Sequence, residues 1–271
     1  MKKKILYWSP FLSNVGTVKS TLNSAIALSK YSKTDLDVGL INVCGEWDQY
    51  KDEIANSNIS IIKLNFSYFN YLPKKGFFQS RLSYIIIFLL SFFPLIKLLF
   101  KQKPDYLIIH LITSLPLFIN YLFRPKLRLI LRISGLPKLN IIRKLFWKIT
   151  TKKIFKITCP SVELLNDIKK KNFLTVSKIS YLPDAIINVK NFAKLKEKSI
   201  KKPNNRDFFL SVGRLTKQKN FTYLINEMSE FLKKNKNFDL YIVGDGEEKK
   251  NLQKLINSKN LNNRIFLINY T

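Results

Sequence analysis

The chain has 271 residues, 46% of them apolar and 13% aromatic, which is enough for a core and excludes disorder as the main state. Lysine and arginine number 47 against 18 acids, a formal charge of +29, so the partners to look for are polyanions: phosphorylated ligands, anionic lipid or nucleic acid. Only eight of the basic residues are arginine, and a lysine- and asparagine-rich surface is also what AT-rich coding produces; yet residues 101–160 hold 13 basic residues and one acid, Asp105.

Met1 to Lys4 followed by Ile5–Leu12 reads as a basic lead-in to a first strand; Pro10 and the lack of a small-residue cleavage site argue against a signal peptide. Ile5–Trp8 is a short buried strand, and a polar loop runs to Gly16. Val18, Leu22, Ala25 and Ile26 then recur at helical spacing. Strands follow at 38–42 and 59–64. A long apolar helix covers 77–101 and is stopped by Lys103-Pro104. Within it, Leu82–Ile96 is uncharged for 15 residues, short of the ~20 that cross a bilayer. The stretch reads first as a buried core helix; the alternatives are a helix lying in a membrane interface, favoured by its basic flanks, and a true span. Further strands are expected at 106–109, 127–133, 154–159 and 179–182, with helices at 140–153 and 161–171.

Such alternation implies a parallel sheet with helices on both faces, and ligands at the carboxyl ends of its strands. Residues 190–207 are charged and lack apolar periodicity, which marks a linker. The expected organisation is therefore a first domain over 1–189, a linker over 190–207 and a second, partial domain over 208–271. In the last, strands at 208–212, 238–243 and 265–267 alternate with helices at 220–233 and 247–258.

Cys44 and Cys159 stand 115 positions apart with one histidine in the chain, so a zinc cluster is not expected and a reducing compartment fits. Four places can carry chemistry. Gly16, between the first strand and helix, lets backbone N–H groups approach an anion, or simply makes a turn. His110 lies just past a strand end. Gly213-Arg214-Leu215 follows a buried strand, with Lys219 at the next helix start; a cation there opposes the helix dipole unless an anionic ligand, such as a diphosphate, joins it. Gly244-Asp245-Gly246 turns the next strand into a helix.

These last two constellations, Val212-Gly213-Arg214-Leu215 through Lys219 and Val243-Gly244-Asp245-Gly246, resemble the donor-binding half of family-four-type glycosyltransferases (glycosyl transferases group 1) of the GT-B fold. Pro104-Asp105 with His110, Cys159-Pro160-Ser161 and Leu182-Pro183-Asp184 are similar to segments of that family's first half. The resemblance implies two Rossmann-like parallel-sheet domains, the second incomplete, and transfer from a nucleotide-diphosphate sugar without a metal or other cofactor. It implies that Arg214 and Lys219 hold the diphosphate, that His110 is catalytic beside donor sugar and acceptor, and that Gly16, Gly213, Gly244 and Gly246 shape substrate-binding loops. The family's pair of glutamates eight positions apart would fall beyond Thr271, so the resemblance also implies a truncated second domain with a half-built donor site.

The acceptor expected from the apolar 82–96 segment and the basic 101–160 segment is a lipid-linked or cell-surface polysaccharide precursor. The protein would be cytoplasmic, peripheral on the inner face of the cytoplasmic membrane, with an anionic membrane surface among its partners. The alternative is a non-catalytic basic membrane-surface protein that keeps the fold. Nucleic acid is not expected, because no recognised motif accompanies the charge.

Overall fold

The structure, a computed structural model, describes residues 2–74, 76–137, 140–171, 173–174, 176–199 and 204–269. The chain forms two compact units, Met1–Leu195 and Lys196–Thr271.

The first unit begins with β1 (Lys3–Trp8), α1 (Gly16–Tyr31) and β2 (Leu36–Asn42). A single 3₁₀ turn (Glu46–Tyr50), the short α2 (Lys51–Ala55) and β3 (Ser60–Lys63) follow. Next come α3 (Gly76–Gln102), β4 (Tyr106–Ile109), α4 (Ser114–Phe123) and β5 (Arg128–Arg132). The unit closes with α5 (Ile141–Thr150), β6 (Lys156–Cys159), α6 (Val162–Lys171), β7 (Ile179–Tyr181) and α7 (Val189–Lys196). The sheet is parallel in the order β3-β2-β1-β4-β5-β6-β7.

Direction along the sheet decides which face each helix covers. From β1 the chain steps one way to β3, and from β4 it steps the other way to β7. Right-handed crossovers therefore place α1 on one face and α3 to α6 on the other. The two cores follow. Val18, Leu22 and Ala25 of α1 pack on Ile5, Tyr7, Val38 and Leu40. Leu95 and Leu99 of α3, Leu115 and Ile119 of α4, and Leu164 and Ile168 of α6 pack on Leu6, Trp8, Leu107, Leu129, Leu131 and Ile157.

The helix that holds the 82–96 stretch, Phe78–Gln102, is long and apolar enough to cross a membrane. It joins β3 to β4, two strands of one sheet. It is not a fully buried core helix. Ser83, Ile87, Ser91, Leu95 and Leu99 form its buried edge, while Leu82, Ile85, Leu89, Phe93 and Phe100 are exposed. Pro94 lies inside the helix without ending it. A proline there leaves the carbonyl of Leu90 without its usual donor; Asn65 Nδ2 supplies one at 3.4 Å and also reaches Ser91 Oγ at 3.3 Å.

The second unit holds β8 (Asp207–Val212), α8 (Phe221–Lys234), β9 (Phe238–Val243), α9 (Lys249–Ser258) and β10 (Ile265–Ile268). Its sheet is parallel in the order β10-β9-β8. Two successive crossovers step the same way, so both helices fall on one face, where Ile225, Leu232, Leu252 and Ile256 pack on Leu240, Ile242 and Ile265. The stretch expected as a linker begins with a helix, α7; residues 200–203 lie outside those described.

Asp239 fixes the amino end of this small sheet. Its buried carboxylate accepts from Arg264 Nε at 3.0 Å, Arg206 Nη1 at 3.2 Å and Asn204 Nδ2 at 2.6 Å. Burial raises its pKa, but these donors outweigh burial and hold it below the usual carboxylate value. Removing one partner of a buried ion pair typically costs about 3–5 kcal/mol. The Asp239→Ala variant should therefore lower the urea midpoint of the second unit, with a loss of order 3 kcal/mol. A midpoint within error of the parent would show that the arginines are solvated equally well without it.

Candidate functional site

The sheet order reverses between β1 and β4, and ligands of open α/β sheets bind at such a point, beyond the strands' carboxyl ends. A cavity of about 730 Å³ opens there. Its walls are the loop after β1 (Pro10 to Val15), the loop after β4 (Leu111 to Ser114) and the amino-terminal turns of α3 and α5. Lys74, Arg81 and Arg143 bring positive charge to it, and Tyr84, Phe146 and Trp147 bring aromatic surface. Among the described residues lining it there is no carboxylate. Gly16 starts α1 beside this loop, and a Cβ built on it would meet nothing within 4 Å.

His110 follows β4 and is 6% exposed. Its Nδ1 lies 2.8 Å from Thr21 Oγ1, and that hydroxyl donates its own proton to the Thr17 carbonyl at 2.9 Å. Thr21 therefore accepts from Nδ1–H, and Nε2 is left to accept from the Ser134 hydroxyl. Burial first, then the Arg132 guanidinium, push the imidazole down to about 4, and Asp184 only partly opposes them. The ring is thus neutral near pH 7, with both nitrogens engaged. In this state it accepts a hydrogen bond from the Ser134 hydroxyl and holds it in place.

Arg132 itself is buried at the end of β5. Its Nε donates to Asp184 Oδ1 at 2.9 Å and its Nη2 donates to the Leu182 carbonyl at 3.2 Å. This pair pins the Leu182-Pro183-Asp184 turn. The Pro104-Asp105 end of the His110 segment serves structure instead. Asp105 accepts from the Lys4 amide at 2.8 Å at the opposite end of β4 from His110. A second cavity, of about 290 Å³, opens on the α1 face of the sheet beside His110, Thr21, Arg132 and Thr158.

In the second unit two glycine turns lock together. Gly213 N–H donates to the Val243 carbonyl, Leu215 N–H to the Asp245 carbonyl and Glu248 N–H to the Leu215 carbonyl, each at 2.9 Å. A Cβ on Gly244 would sit 1.9 Å from the Gly213 oxygen, and one on Gly246 2.4 Å from the Leu215 oxygen. No side chain fits at either position, so these glycines set the shape of the Arg214 loop. Arg214 is exposed, and the Lys219 stem passes 3.8 Å from where a Gly213 Cβ would stand. Neither side-chain cation has a hydrogen-bond or ion-pair partner among the described residues. α8 starts just beyond, with no side-chain cap and no acid in its first turn. Two cations and a bare helix N-terminus form an arrangement suited to a diphosphate.

Sequence reasoning reached Gly16, His110, Gly213, Arg214, Lys219, Gly244 and Gly246. Thr21, Arg132, Ser134 and the aromatic wall at Tyr84, Phe146 and Trp147 were missed. Only Ser134-Gly135, at a strand end, carried a local signal.

The architecture is that of the GT-B glycosyltransferases. It superposes over the whole chain on a glycosyltransferase from Rickettsia africae, with TM-score 0.67 and 17% identity over 69% of that protein. Anabaena HepE in complex with UDP gives TM-score 0.63 at 13% identity over 70% of its chain. A UDP-GlcNAc 2-epimerase from Methanocaldococcus jannaschii gives TM-score 0.54 at 14% identity over 74%. At such identities the likeness is one of fold. In sequence, residues 192–271 fit the family of glycosyl transferases group 1. A segment of 60 residues is 45% identical to an uncharacterized glycosyltransferase of Methanocaldococcus jannaschii, covering 22% of this chain and 15% of that protein. The second unit, Lys196–Thr271, lies within the stretch that fits this family's model.

The buried neutral imidazole has a consequence for stability. A histidine binds a proton near pH 6.5 when unfolded and only near 4 here, so the unfolded chain holds more protons between those values. Stability is present in full above 6.5 and is lost as pH falls toward 4, by up to about 3 kcal/mol from this group. Urea midpoints between pH 7 and 5 should fall more steeply for the parent than for His110→Gln. Parallel slopes would mean that the ring charges without penalty.

Proposed function

We propose that the protein transfers a sugar from a nucleotide-diphosphate sugar to a glycan or lipid-linked acceptor. The observation that carries this reading is the interlocked pair of glycine turns that presents Arg214 and Lys219 at the bare start of α8. The family match over the same residues supports it, as does the UDP found on Anabaena HepE. Cleavage of the bond between the sugar's anomeric carbon and the diphosphate leaves new charge on the departing phosphate oxygen. Arg214, Lys219 and the α8 amides meet that charge where it develops. The acceptor hydroxyl oxygen bonds to the anomeric carbon and gives up its proton to the departing phosphate oxygen. The switch-point cavity, basic and aromatic and with no carboxylate among the described residues lining it, suits an acceptor that combines sugar with phosphate. In this reading His110 is a positioning residue, holding the Ser134 hydroxyl toward substrate.

The epimerase among the structural neighbours shows that this fold also serves other chemistry on nucleotide sugars. Product analysis separates the readings: a transferase yields a lengthened acceptor and free nucleotide, an epimerase an altered nucleotide sugar. A non-catalytic surface protein yields neither.

Calorimetric titration of the full chain with UDP tests the donor site. Charged hydrogen bonds of this kind contribute about 1.5–3 kcal/mol each. Arg214→Ala and Lys219→Ala should each weaken binding by about tenfold or more. Affinities equal to the parent's would remove the diphosphate role from these residues.

A further inference from the structure

We propose that the outer face of α3, α4 and α5 docks the first unit on an anionic lipid bilayer, with α3 lying in the plane of the interface. The motivating feature is an inverted helix. Along α3 the side chains at Leu82, Ile85, Leu89 and Phe93 point outward, Phe93 at 76% exposure, while serines 83 and 91 face the protein. A helix designed for water places these residue types the other way round. α5 continues the apolar surface with Ile141 and Ile142, 87% and 79% exposed, and with Leu145. Leu122 and Phe123 of α4 lie between, and the Phe123 ring is 6.2 Å from that of Phe92 on α3.

Charge identifies the partner. Residues 54–160 contain 18 lysines and arginines and one acid, Asp105. Lys97 and Lys101 on α3 and Lys144 and Lys148 on α5 are exposed beside the apolar residues. Two copies meeting through this face would bring like charges together, so self-association is opposed. A protein partner would need hydrogen bonds, roughly one per 100–200 Å² of interface. Leu82, Ile85, Leu89 and Phe93 carry no polar group for them, and acyl chains need none. Apolar residues inserted at the acyl boundary, with lysines at headgroup level, are what a monotopic helix presents to anionic lipid.

The docking face runs into the rim of the switch-point cavity. Arg81 and Tyr84 of α3 and Ile142 of α5 line that cavity. Docking would hold its mouth at the headgroup layer. On the transferase reading, the acceptor is then an amphiphile whose anionic head enters while its tail stays in the bilayer.

The test is sedimentation of the full chain with vesicles of phosphatidylcholine, with and without 30% phosphatidylglycerol. UDP titration and light scattering are run on the same samples. The anionic vesicles should retain the protein at least tenfold better than neutral ones, and 0.5 M salt should weaken retention. The Ile85→Glu/Leu89→Glu pair and the Ile85→Lys/Leu89→Lys pair should each reduce partitioning at least tenfold while UDP affinity stays unchanged. Loss of UDP binding by the parent would sink the transferase reading and leave docking standing. Vesicle binding that both pairs retain would overturn docking through α3. So would a dimer that the substitutions dissociate without altering vesicle retention, or capture of an acidic protein in place of lipid.

Discussion

A crossover between parallel strands turns right-handed, and that handedness decides where everything else in this protein lies. Because the chain leaves β1 in one direction and β4 in the other, the first sheet carries helices on both faces and opens a crevice where the directions part. The loops after β1 and β4 are the lips of that crevice, which is why the large cavity forms there. Among the described residues of the second unit the chain does not reverse. Both helices then fall on one face; on the opposite face Leu210 and Val212 of β8 are exposed, while Asp239 and Tyr241 are buried.

Backbone contact is the second constraint. Gly244 and Gly246 allow the two turns to approach until carbonyl oxygens stand where side chains would be. Close approach lets three amide hydrogen bonds tie the Arg214 loop to the strand beside it. The cation is exposed while its backbone is fixed. A binding loop gains from this combination, because a fixed backbone loses less entropy when ligand arrives. His110 shows the opposite economy. It is buried, neutral and held at both nitrogens, so its influence passes through Ser134.

Charge and apolar surface have to be considered together on α3. Either alone is ordinary: lysines cover many surfaces, and exposed leucines are common. Their coincidence on one face, in a segment of more than a hundred residues with a single acid, sets this face apart from the rest of the first unit.

The sequence by itself marked the strands and most of the helices in order, because apolar runs of strand length alternate with helical spacing; α7 fell in the stretch that reads as a linker. It also marked the glycine turns with Arg214 and Lys219, because those signals are local: a strand end, a glycine and a helix start within ten residues. It placed His110 at a strand end for the same reason. Only the tertiary structure decided what His110 touches, since Thr21 and Ser134 are 89 and 24 positions away. It also decided that Arg132 is buried, because a basic residue on a strand is paired only when a distant turn brings Asp184 to it. And it decided which side of α3 faces out. The 82–96 stretch is apolar all round, so its periodicity is silent about orientation. Packing against β4, α4 and Asn65 chose the serine edge for the interior and left the leucines outside.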